Sequence, residues 1–488
     1  MYESHDKSNN DDELCFTPAV DLARLMRRKE LSPVELMQAV LARVDRLNPQ
    51  INCFVTLTAD QAMAQAKEAE RLIMSSDPRT LSPLVGLPVS VKDLENTAGV
   101  RTTYGSKHFA DHVPTTDATI WERLKRDGAI LIGKTTTPEF GMHSVTESPL
   151  TGVTNNPWDL SRTTGGSSGG AAAAVAAGMG PLATGSDGGG SIRVPSSFCG
   201  TVGLKASRGR IPVNTAESSY ESVQVVGPMT RTVADTALMM NSVAGPHPFD
   251  AYSLPADGTD YVAGISNASL KGLRVAYCPD LGNGPMEPDV SAAIAQAAER
   301  FGQDLGAHVE MVQINLPDVY EYFVAWWGPT LDLMIKQNVL PFGCIEESHP
   351  LIASFAKRAE KFSAADYYHT HSVVRSQIHT AFANVFQKFD LLIWPTTAMV
   401  AFKHPLDATC PSHIAGVAIS EPTLVNQRLT EAVSHAGYPA ISIPAGFSSE
   451  GLPIGLQIAA GHAQDLLVLK AAAAYEAAHP WAHLRPSL

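Results

Sequence analysis

A glycine-rich segment over residues 165–209 constrains the fold of this chain more than any other feature, because it holds 13 of the 37 glycines in 45 positions. Runs of alanine and serine fill much of the space between those glycines. Glycine at that density costs backbone entropy on folding. It is retained where the main chain must approach another group closely or turn its N–H groups outward. We therefore expect most of the chemistry of this chain to lie within residues 165–209.

Strand-like and helix-like segments alternate along most of the chain. Apolar or β-branched runs of strand length occur at residues 89–92, 129–132, 273–277, 308–314, 391–394 and 440–443. Helical segments lie between them, among them residues 117–126, 232–243 and 290–301. This alternation predicts an α/β fold in which a single large domain, residues 14–488, has a central mixed β-sheet covered by helices on both faces. Residues 1–13 are polar and acidic, and we expect them to form a flexible N-terminal tail.

Three helices are expected before the first of these strands. Thr17-Pro18 marks the start of the first helix, and the third covers about residues 60–74. The sequence SPVE at residues 32–35 has the pattern of a capping box with proline at the first helical position, which predicts that the second helix begins after Ser32. Apolar residues then recur at helical spacing and give that helix one apolar face: Leu36, Val40, Leu41, Val44 and Leu47.

Composition argues against several classes of protein. The chain has 36 basic and 49 acidic residues and a net charge of −13, which is unfavourable for binding nucleic acid. Its six cysteines include no Cys-x-x-Cys pair, so they indicate reduced thiols rather than disulfides or a zinc motif. No apolar run approaches the roughly 18 residues that a membrane helix needs, and the polar start lacks the order of a signal peptide. We expect a cytoplasmic protein that binds a small neutral or apolar substrate, without nucleic-acid or membrane partners.

The run GGGSIR at residues 188–193 places three glycines before Ser191. Consecutive glycines allow successive N–H groups to point into one concavity, which can bind the oxyanion of a tetrahedral intermediate. A serine at the end of such a run has its hydroxyl beside that concavity, where a nucleophile is needed. A plain glycine-rich turn would have the same sequence, so this interpretation needs support from other residues.

A second run, GGSSGG at residues 165–170, leads into the alanine-rich stretch. By itself it is compatible with a helix N-terminus capped by serine. It also matches Gly-x-Ser-x-Gly, the pattern of the nucleophile elbow in α/β-hydrolases. That elbow requires a strand directly before it, and NPWDLSRTT at residues 156–164 does not read as a strand. The elbow interpretation is therefore disfavoured.

Lys92 lies at the end of the predicted strand 89–92, within GLPVSVKD at residues 86–93. Most lysines that follow a strand are solvated. Here the flanking residues are apolar, and burial would lower the lysine pKa from about 10.4 toward neutrality because the ammonium loses its hydration. Such a lysine is available as a general base. Asp93 alternates to the other face, where we expect a structural hydrogen-bond acceptor.

Together these segments resemble the amidase signature family, serine hydrolases that use a Ser–Ser–Lys triad. The signature block covers residues 165–212, and the similarity extends over nearly the whole chain. Further segments that carry it are GLPVSVKD, LIGKTTTPEF, GPMTRTVADTALMM and YPAISIPAGFSSEGLPIGLQ. The resemblance implies the amidase signature fold and hydrolysis of carboxylic amide C–N bonds, with neither a cofactor nor a metal.

The same resemblance assigns roles to individual residues. Ser191 matches the family nucleophile, Ser167 the bridging serine and Lys92 the base. Four N–H groups match the oxyanion hole, those of Gly188, Gly189, Gly190 and Ser191. In the family the peptide bond that corresponds to Gly166–Ser167 is cis, and we expect the same bond here.

The family resemblance also implies a complete catalytic cycle. Neutral Lys92 accepts a proton through Ser167 while Ser191 attacks the carbonyl carbon, and water later hydrolyses the acyl-enzyme. Activity should therefore rise toward neutral and alkaline pH, as Lys92 loses its proton. Asp187 and Arg193 flank the nucleophile, and we expect charge-assisted hydrogen bonds from them to hold its loop.

The chain departs from the family pattern at several positions. Gly188 stands where a bulkier residue is usual, which predicts a more flexible oxyanion hole. Smaller departures occur at three further places: Ser186 for threonine, Ala171 for serine, and Ala206-Ser207 for Pro-Thr. None of these changes removes an atom of the triad.

Two apolar segments are expected to select the substrate. An aromatic run that includes Trp326 and Trp327 lies in the part of the chain that lines the acyl or leaving-group pocket in relatives, although core packing would also explain it. By analogy, Phe140, Gly141 and Met142 form the opposite wall. Such walls favour small neutral amides with aryl or apolar groups, and extend to anilides, esters and carbamates. A homodimer is compatible with the sequence.

Other functions fit the sequence less well. The glutaminase subunit of a tRNA-dependent amidotransferase carries an Arg-Tyr-Gly-type motif, which is absent after residue 330. Nucleotide binding needs Gly-Lys-[Ser/Thr] or, after a strand, Gly-x-Gly-x-x-Gly, and residues 165–209 contain neither. A metal site of Asp366, His369 and His371 is disfavoured because His-x-His side chains diverge by about 200° on a helix. A binding protein that kept only the fold is disfavoured because all three triad positions are intact.

Overall fold

The structure is a computed structural model that describes residues 11–214, 220–282, 284–339, 345–404 and 410–488. Within these ranges the strands are, in chain order, β1 (Phe54–Leu57), β2 (Pro88–Lys92), β3 (Ile130–Thr135), β4 (Glu147–Ser148), β5 (Gly152–Val153), β6 (Asn155–Asn156), β7 (Asp159–Thr163), β8 (Leu182–Asp187), β9 (Val202–Lys205), β10 (Val225–Thr230), β11 (Arg274–Tyr277), β12 (His308–Met311), β13 (Leu391–Pro395), β14 (His413–Ile414), β15 (Val417–Ala418), β16 (Ala440–Phe447) and β17 (Pro453–Ala460).

The described helices alternate with these strands, as the sequence predicts. They are α1 (residues 11–16), α2 (Ala19–Arg27), α3 (Pro33–Ile51), α4 (Ala59–Ser75), α5 (Thr119–Arg126), α6 (Gly169–Ala176), α7 (Arg193–Cys199), α8 (Val233–Val243), α9 (Tyr261–Ile265), α10 (Pro288–Gln303), α11 (Val319–Met334), α12 (Pro350–Ala359), α13 (Ala364–Tyr368), α14 (Arg375–Phe386), α15 (Glu431–Ala436) and α16 (Asp465–Ala478).

Eleven of the strands form one mixed sheet in the order β1-β3-β2-β8-β10-β9-β16-β17-β13-β11-β12. β2 pairs in parallel with β3 and β8, and β11 pairs in parallel with β12 and β13. From β8 to β13 the neighbouring strands are antiparallel. The predicted α/β fold, a large domain with a central mixed sheet, is confirmed.

Apolar side chains cover both faces of this sheet. In β13, Leu391 and Ile393 belong to one large cluster of buried apolar side chains, whereas Leu392 and Trp394 belong to another. Successive side chains of a strand point to opposite faces, so the two clusters lie on the two sides of the sheet. Helices α3, α8, α10 and α16 contribute to the first cluster, and α11, α12, α14 and α15 to the second.

The bounds of the strands differ from the prediction in two ways. β12 ends at Met311, before the predicted end at residue 314, whereas β16 continues to Phe447, past the predicted end at residue 443. The prediction also misses the edge strand β1 and, in the interior of the sheet, the four strands β8, β9, β10 and β17. The four interior strands are buried along their whole length, so their sequences lack the alternation of polar and apolar residues that marks a half-exposed strand.

The start of α3 agrees with the sequence. Ser32 Oγ accepts a hydrogen bond from the Val34 N–H at 2.9 Å, and Glu35 Oε2 accepts one from the Ser32 N–H at 3.1 Å. These reciprocal bonds belong to a capping box, which satisfies N–H groups that the first turn of a helix leaves unpaired.

The predicted tail is shorter than expected. Residues 1–10 lie outside the described residues, but residues 11–13 belong to α1. Asp12 forms an ion pair with Arg43 at 2.6 Å, so the tail does not extend to residue 13. Within the described ranges, no helix is both long and apolar enough to cross a lipid bilayer.

Candidate active site

Two parallel strands bring the candidate base next to the glycine-rich segment. β2 ends at Lys92, and β8 runs beside it with Ala183 opposite Ser90. Lys92 is fully buried. Its backbone N–H donates to Thr184 Oγ1 at 3.2 Å, which ties the end of β2 to β8. The local geometry therefore directs the Lys92 side chain toward residues 165–209.

Two serine hydroxyls lie within hydrogen-bond distance of the Lys92 amine. Lys92 Nζ is 2.8 Å from Ser167 Oγ and 3.0 Å from Ser186 Oγ. Ser167 is buried, whereas Ser191 is partly exposed. The Ser168 N–H donates to the Ser191 carbonyl at 3.0 Å, which links the two glycine–serine runs. The structure thus brings together both runs and the lysine that the sequence singles out.

The buried setting of Lys92 changes its protonation. Burial lowers the pKa of Lys92 to about 7, while the charges of Glu95 and Asp187 act in the opposite direction. Glu95 is also buried, and burial raises its pKa. Its Oε2 accepts a hydrogen bond from the Thr184 hydroxyl, and its Oε1 has no hydrogen-bond partner among the described residues. A neutral lysine amine is therefore accessible near neutral pH.

Close approach of the backbone explains the glycines around Ser167. The peptide bond between Gly166 and Ser167 is cis, as predicted. A Cβ on Gly166 would lie 2.9 Å from the carbonyl oxygen of His143, and one on Gly170 would collide with Thr136. Larger residues at these two positions would push this turn away from its neighbours.

The residues before this turn form a strand, contrary to expectation. β7 covers Asp159–Thr163 and pairs with β6 in a two-stranded ribbon. The prediction that residues 156–164 contain no strand is therefore wrong for six of them, Asn156 in β6 and the five residues of β7. The ribbon is separate from the eleven-stranded sheet, so Ser167 does not stand at the end of a central strand as an elbow nucleophile does.

The N–H groups of the glycine run do not all face the same way. The Gly190 N–H donates to Asp187 Oδ1 at 2.7 Å and is therefore unavailable to an oxyanion. Among the described residues, the N–H groups of Gly188, Gly189 and Ser191 have no acceptor. This finding corrects the predicted oxyanion hole, which included the amide of Gly190.

A buried ion pair holds the loop that carries Ser191. Arg193 Nη2 lies 2.8 Å from Asp187 Oδ1, and both side chains are fully buried. Arg193 also donates to Gln457 Oε1 at 2.7 Å and to the Thr430 carbonyl at 3.0 Å. Asp187 Oδ2 accepts the Ile192 N–H at 3.2 Å. Burial raises the pKa of Asp187, but the charge and hydrogen bonds of Arg193, the Lys205 charge and the Gly190 N–H together hold that pKa below its usual range.

Two side chains from outside the signature block cover the glycine run. A Cβ on Gly188 would lie 2.8 Å from the Trp327 ring, and one on Gly189 would collide with the Glu431 carboxylate. Trp327 Nε1 donates to Glu431 Oε1 at 2.8 Å, and His435 Nε2 lies 2.8 Å from the same oxygen. The glycines make room for these side chains, so the loop is packed at Gly188 rather than loosened as predicted.

The predicted substrate-binding turn lies beside Ser167. A Cβ on Gly141 would lie 3.3 Å from Ser167 Oγ. Phe140 and Met142 are partly buried against the same apolar cluster as Trp327. The structure therefore offers partly exposed apolar surface from two distant segments, and both border the serine runs.

Trp326 is not part of that surface. Its side chain is buried, and its ring stacks on His371 with centroids 4.8 Å apart. His435 contacts the ring edge-on at 4.4 Å, and Arg375 Cζ lies 5.3 Å from its centroid. The predicted substrate contact of Trp326 is wrong for this structure, because neighbouring side chains already cover the ring.

The candidate metal ligands Asp366, His369 and His371 do not converge. Asp366 Oδ2 accepts the Ser363 N–H at 2.9 Å and caps α13. His369 is exposed, and His371 packs on Trp326. In the part of the chain that the structure describes, these three residues form no group of converging ligand atoms.

Sequence patterns miss three polar residues near the site: Ser186, Glu95 and Glu431. Ser186 lies in β8. A correct prediction of that strand would have placed Ser186 and Thr184 on the same face, toward Lys92. Glu95 is a charged residue shortly after a buried strand, which is a weak local signal. Glu431 gives no local signal at all, because it meets the glycine run only through the fold.

Comparisons with known proteins agree on one family. The Amidase family model matches residues 35–469. The chain is 38% identical over 479 residues to the acylamidase of Rhodococcus erythropolis, with 97% of this chain and 98% of that protein covered. It is 35% identical over 496 residues to the A subunit of glutamyl-tRNA(Gln) amidotransferase from Thermosynechococcus vestitus, with 96% and 99% covered. The crystal structure of a bacterial aryl acylamidase of the amidase signature family aligns with a TM-score of 0.89 and 29% identity, over 96% of this chain and 97% of that one.

Proposed function

The chain belongs to the amidase family and is an amide hydrolase, and from this premise we propose that it works through an acyl-enzyme on Ser191. In this proposal Lys92 and Ser167 form the proton relay. The observation that carries it is the 2.8 Å contact between Lys92 Nζ and Ser167 Oγ, beside the loop that presents Ser191.

The proposed nucleophile is more exposed to solvent than the two residues of the proposed proton relay. Ser191 is partly exposed, whereas Ser167 and Lys92 are buried. Within the described residues the Ser191 hydroxyl makes no hydrogen bond, so it is free to turn toward a substrate carbonyl. As Ser191 Oγ bonds to the carbonyl carbon, its proton passes to Ser167 Oγ, and the proton of Ser167 passes to the neutral Lys92 amine. Ser186, at 3.0 Å from Nζ, helps to hold that amine in place.

Three backbone amides are left to stabilise the oxyanion. We assign the hole to the N–H groups of Gly188, Gly189 and Ser191, because the described residues offer these groups no other acceptor. Each such donor is worth roughly 3 kcal/mol in the transition state. The Gly190 N–H instead anchors the loop to Asp187, and that bond fixes the direction of its neighbours.

The remaining steps return the proton. The Lys92 ammonium gives it back through Ser167 to the leaving nitrogen, the C–N bond breaks, and the amine departs while the acyl group stays on Ser191. Water then attacks the ester with the same relay as base. The products are a carboxylic acid and free Ser191, and Lys92 is again neutral.

A neutral amide with an aryl or extended apolar group is the substrate class that fits best. Phe140, Met142 and Trp327 offer partly buried apolar surface beside the serines. The names of two relatives, an acylamidase and an aryl acylamidase, support this class. Esters and carbamates of similar shape would enter the same cycle, since the same carbonyl carbon is attacked.

A glutaminase is the second candidate, favoured by the 35% identity to the A subunit of the amidotransferase. Glutamine carries an ammonium and a carboxylate that need polar partners, whereas the surface beside the serines is apolar. Ammonia release from glutamine, measured against turnover of anilides, distinguishes the two. A higher catalytic efficiency on glutamine than on any anilide would overturn the aryl amide assignment.

Covalent labelling with a fluorophosphonate, followed by peptide mapping, tests the relay. We expect the label on Ser191, slowed by a factor of roughly 10²–10⁴ in Lys92→Ala because the general base is lost. Lys388→Ala, at an exposed lysine, is the matched control and should react like wild type. A label on Ser167 would overturn the choice of nucleophile, and an unchanged rate in Lys92→Ala would overturn the choice of base.

A further inference from the structure

A single buried carboxylate contacts both the proposed substrate surface and the proposed oxyanion hole. Glu431 is fully buried at the start of α15. Its Oε1 accepts the Trp327 indole N–H at 2.8 Å, and the Trp327 ring packs against Gly188. Its Oε2 lies over Gly189, where an added Cβ would collide with it. Glu431 therefore links two parts of the candidate site that come from different elements.

Hydrogen bonds hold this carboxylate in place. His435 Nε2 lies 2.8 Å from Glu431 Oε1, where an imidazole N–H is a second donor beside the indole of Trp327. The rings of Tyr322 and Trp326 contact the His435 ring edge-on, with their centroids 5.4 and 4.4 Å from its own. Two donors thus converge on one carboxylate oxygen, and packed rings hold the second donor. The other oxygen consequently stays over the glycine.

The second carboxylate oxygen lacks a compensating hydrogen bond. Among the described residues, Glu431 Oε2 is buried and has no hydrogen-bond partner. Such a group costs free energy, because the water that it loses on burial is not replaced. A rotation that exposed Oε2 would break the bonds at Oε1. Unfavourable groups of this kind are retained mainly where they serve a site, and this one lies against the loop that carries Ser191.

The contact with Glu431 explains the glycine at position 189. The three atoms nearest to an added Cβ all belong to Glu431. The φ angle of Gly189 lies outside the left-handed region, so this angle does not itself require glycine. The Thr430 hydroxyl donates to the Gly189 carbonyl at 2.6 Å, so two successive residues contact this glycine. The start of α15 therefore fixes the middle of the glycine run.

We propose that Glu431 is a positioning residue that couples the proposed substrate surface to the proposed oxyanion hole. The inference rests on the proposed function, in which the Gly189 N–H stabilises the oxyanion and Trp327 contacts an aryl group of the substrate. Glu431 is fully buried, so it acts through these two residues rather than on the substrate. One carboxylate oxygen sets the direction of the indole ring. The other holds Gly189, and thereby the direction in which its N–H points.

Kinetics on two substrates test the coupling. Glu431→Ala removes both contacts and should lower kcat at least about tenfold on an anilide and on a short aliphatic amide, because one donor of the oxyanion hole is displaced. It should also raise KM for the anilide by a factor of about two or more, since the indole ring loses its partner. Glu431→Gln keeps the size of the side chain and an oxygen that accepts the indole N–H, so each constant should change by less than about twofold. A side chain that serves only folding would give no such difference between kcat and KM on the two substrates.

A double variant of Gly189 and Glu431 tests their contact directly. Gly189→Ala should lower kcat/KM at least about tenfold, because its Cβ would displace the carboxylate. Where Glu431→Ala is already present, the same substitution meets no carboxylate, so the double variant should be about as active as Glu431→Ala alone. Independent effects would instead multiply. Glu299→Ala, at an exposed carboxylate in α10, is the matched control and should leave the loss caused by Gly189→Ala unchanged.

Trp327→Phe gives a measurement that does not depend on how the Glu431 and Gly189 variants fold. It keeps an aromatic ring and removes the N–H donor, so KM should rise for the anilide and stay constant for the aliphatic amide. Losses that multiply in the double variant, an unchanged kcat in folded Glu431→Ala, or an unchanged anilide KM in Trp327→Phe would each overturn the coupling. In all three cases the wild-type protein would still hydrolyse the anilide and be labelled on Ser191. A wild-type protein that failed both of these measurements would overturn the proposed function, and the coupling with it.

Discussion

Among single residues, Lys92 determines whether the proposed chemistry works. Burial lowers its pKa and two carboxylates raise it, and burial prevails, since the value is about 7. A fully exposed lysine at the same place would hold its proton until roughly pH 10.4 and would be a poor base at neutral pH. The fully buried end of β2 is therefore a functional feature as well as a structural one.

The rate should rise with pH through the pKa of Lys92. The reactive form is the neutral amine, and its fraction grows as pH passes about 7. We expect kcat/KM for a neutral anilide to follow one rising limb and to level off in alkaline solution. Initial rates at substrate concentrations well below KM measure this directly. A maximum below about pH 6 would contradict a lysine base.

Glu95→Gln should move that rising limb to lower pH. The Glu95 charge favours protonated Lys92, so its removal lets burial lower the pKa of Lys92 further. Glutamine keeps the size of the side chain and an oxygen that can accept from Thr184. Glu299→Gln, at an exposed carboxylate, is the control, and the rising limb of its pH profile should match that of wild type. A limb that stays in place or moves to higher pH in Glu95→Gln would show that this charge does not act on the base.

Trp327→Leu should weaken the binding of aryl substrates more than it slows their cleavage. The Trp327 ring packs against Gly188 and is oriented by Glu431, at the border of the proposed substrate surface. Loss of an aromatic contact is worth about 0.5–1.5 kcal/mol, which corresponds to a roughly twofold to twelvefold increase in KM. Steady-state kinetics on an anilide, with a short aliphatic amide as control substrate, measure it. A fall in kcat with KM unchanged would instead assign Trp327 to the transition state.

Among the elements, those with local start signals are the ones that the sequence predicts. α3 begins at a proline that follows a serine cap, and both features are visible in four residues. β8, β9 and β10 are missed because each contains a glycine and is buried on both faces. Packing requires those glycines: a Cβ on Gly185 or Gly227 would meet Ile192, and one on Gly203 would meet Ser196. These contacts come from α7 and the residue before it, and no periodicity in the sequence reveals them.

The candidate site shows the same difference between features with a local sequence signal and features that depend on long-range contacts. Lys92, Ser167 and Ser191 stand in short motifs, and the family resemblance identifies all three from the sequence alone. The bond between Trp327 and Glu431 joins α11 to α15 across 104 positions, and no periodicity or spacing predicts it. Contacts between distant elements therefore decide the shape of the proposed substrate surface, whereas local sequence indicates the proposed reacting groups.

Ser32→Ala should destabilise the protein mainly by removing the N-cap of α3. The serine hydroxyl accepts from the first turn of the helix and also donates to Glu70. Loss of a serine N-cap costs about 1 kcal/mol of unfolding free energy. Urea unfolding followed by circular dichroism measures it. Ser75→Ala, in an exposed position at the end of α4, should change the free energy by less than about 0.5 kcal/mol. Equal effects at the two positions would mean that the cap contributes nothing specific.

On the scale of the whole molecule, three lysines in the central sheet couple folding to pH: Lys92 in β2, Lys134 in β3 and Lys205 in β9. All three are fully buried. Burial lowers their pKa values to about 7, 8 and 7 respectively. Lysine in an unfolded chain titrates near 10.4, so each of these residues holds its proton less tightly in the folded state.

The free energy of unfolding should therefore rise with pH above neutrality. Between the folded and unfolded pKa values the unfolded chain binds a proton that the folded lysine does not, which gives a slope of roughly 1.4 kcal/mol per pH unit for a fully titrating group. For Lys205 this window runs from about 7 to roughly 10.4, and below it the contribution is constant.

Replacement of Lys205 measures how much of the pH dependence of the unfolding free energy comes from this residue. Burial and the neighbouring Arg193 charge both lower the pKa of Lys205, and methionine fills a similar volume without a titrating group. Lys205→Met should reduce the gain in unfolding free energy between about pH 7.5 and about pH 9.5, whereas Lys388→Met, at an exposed lysine, should leave it unchanged. Urea unfolding at the two pH values measures each gain. If the unfolding free energy of wild type and of Lys205→Met rose equally between these pH values, Lys205 would have to keep its proton in the folded state. The buried ion pair beside it would then lie next to an extra positive charge.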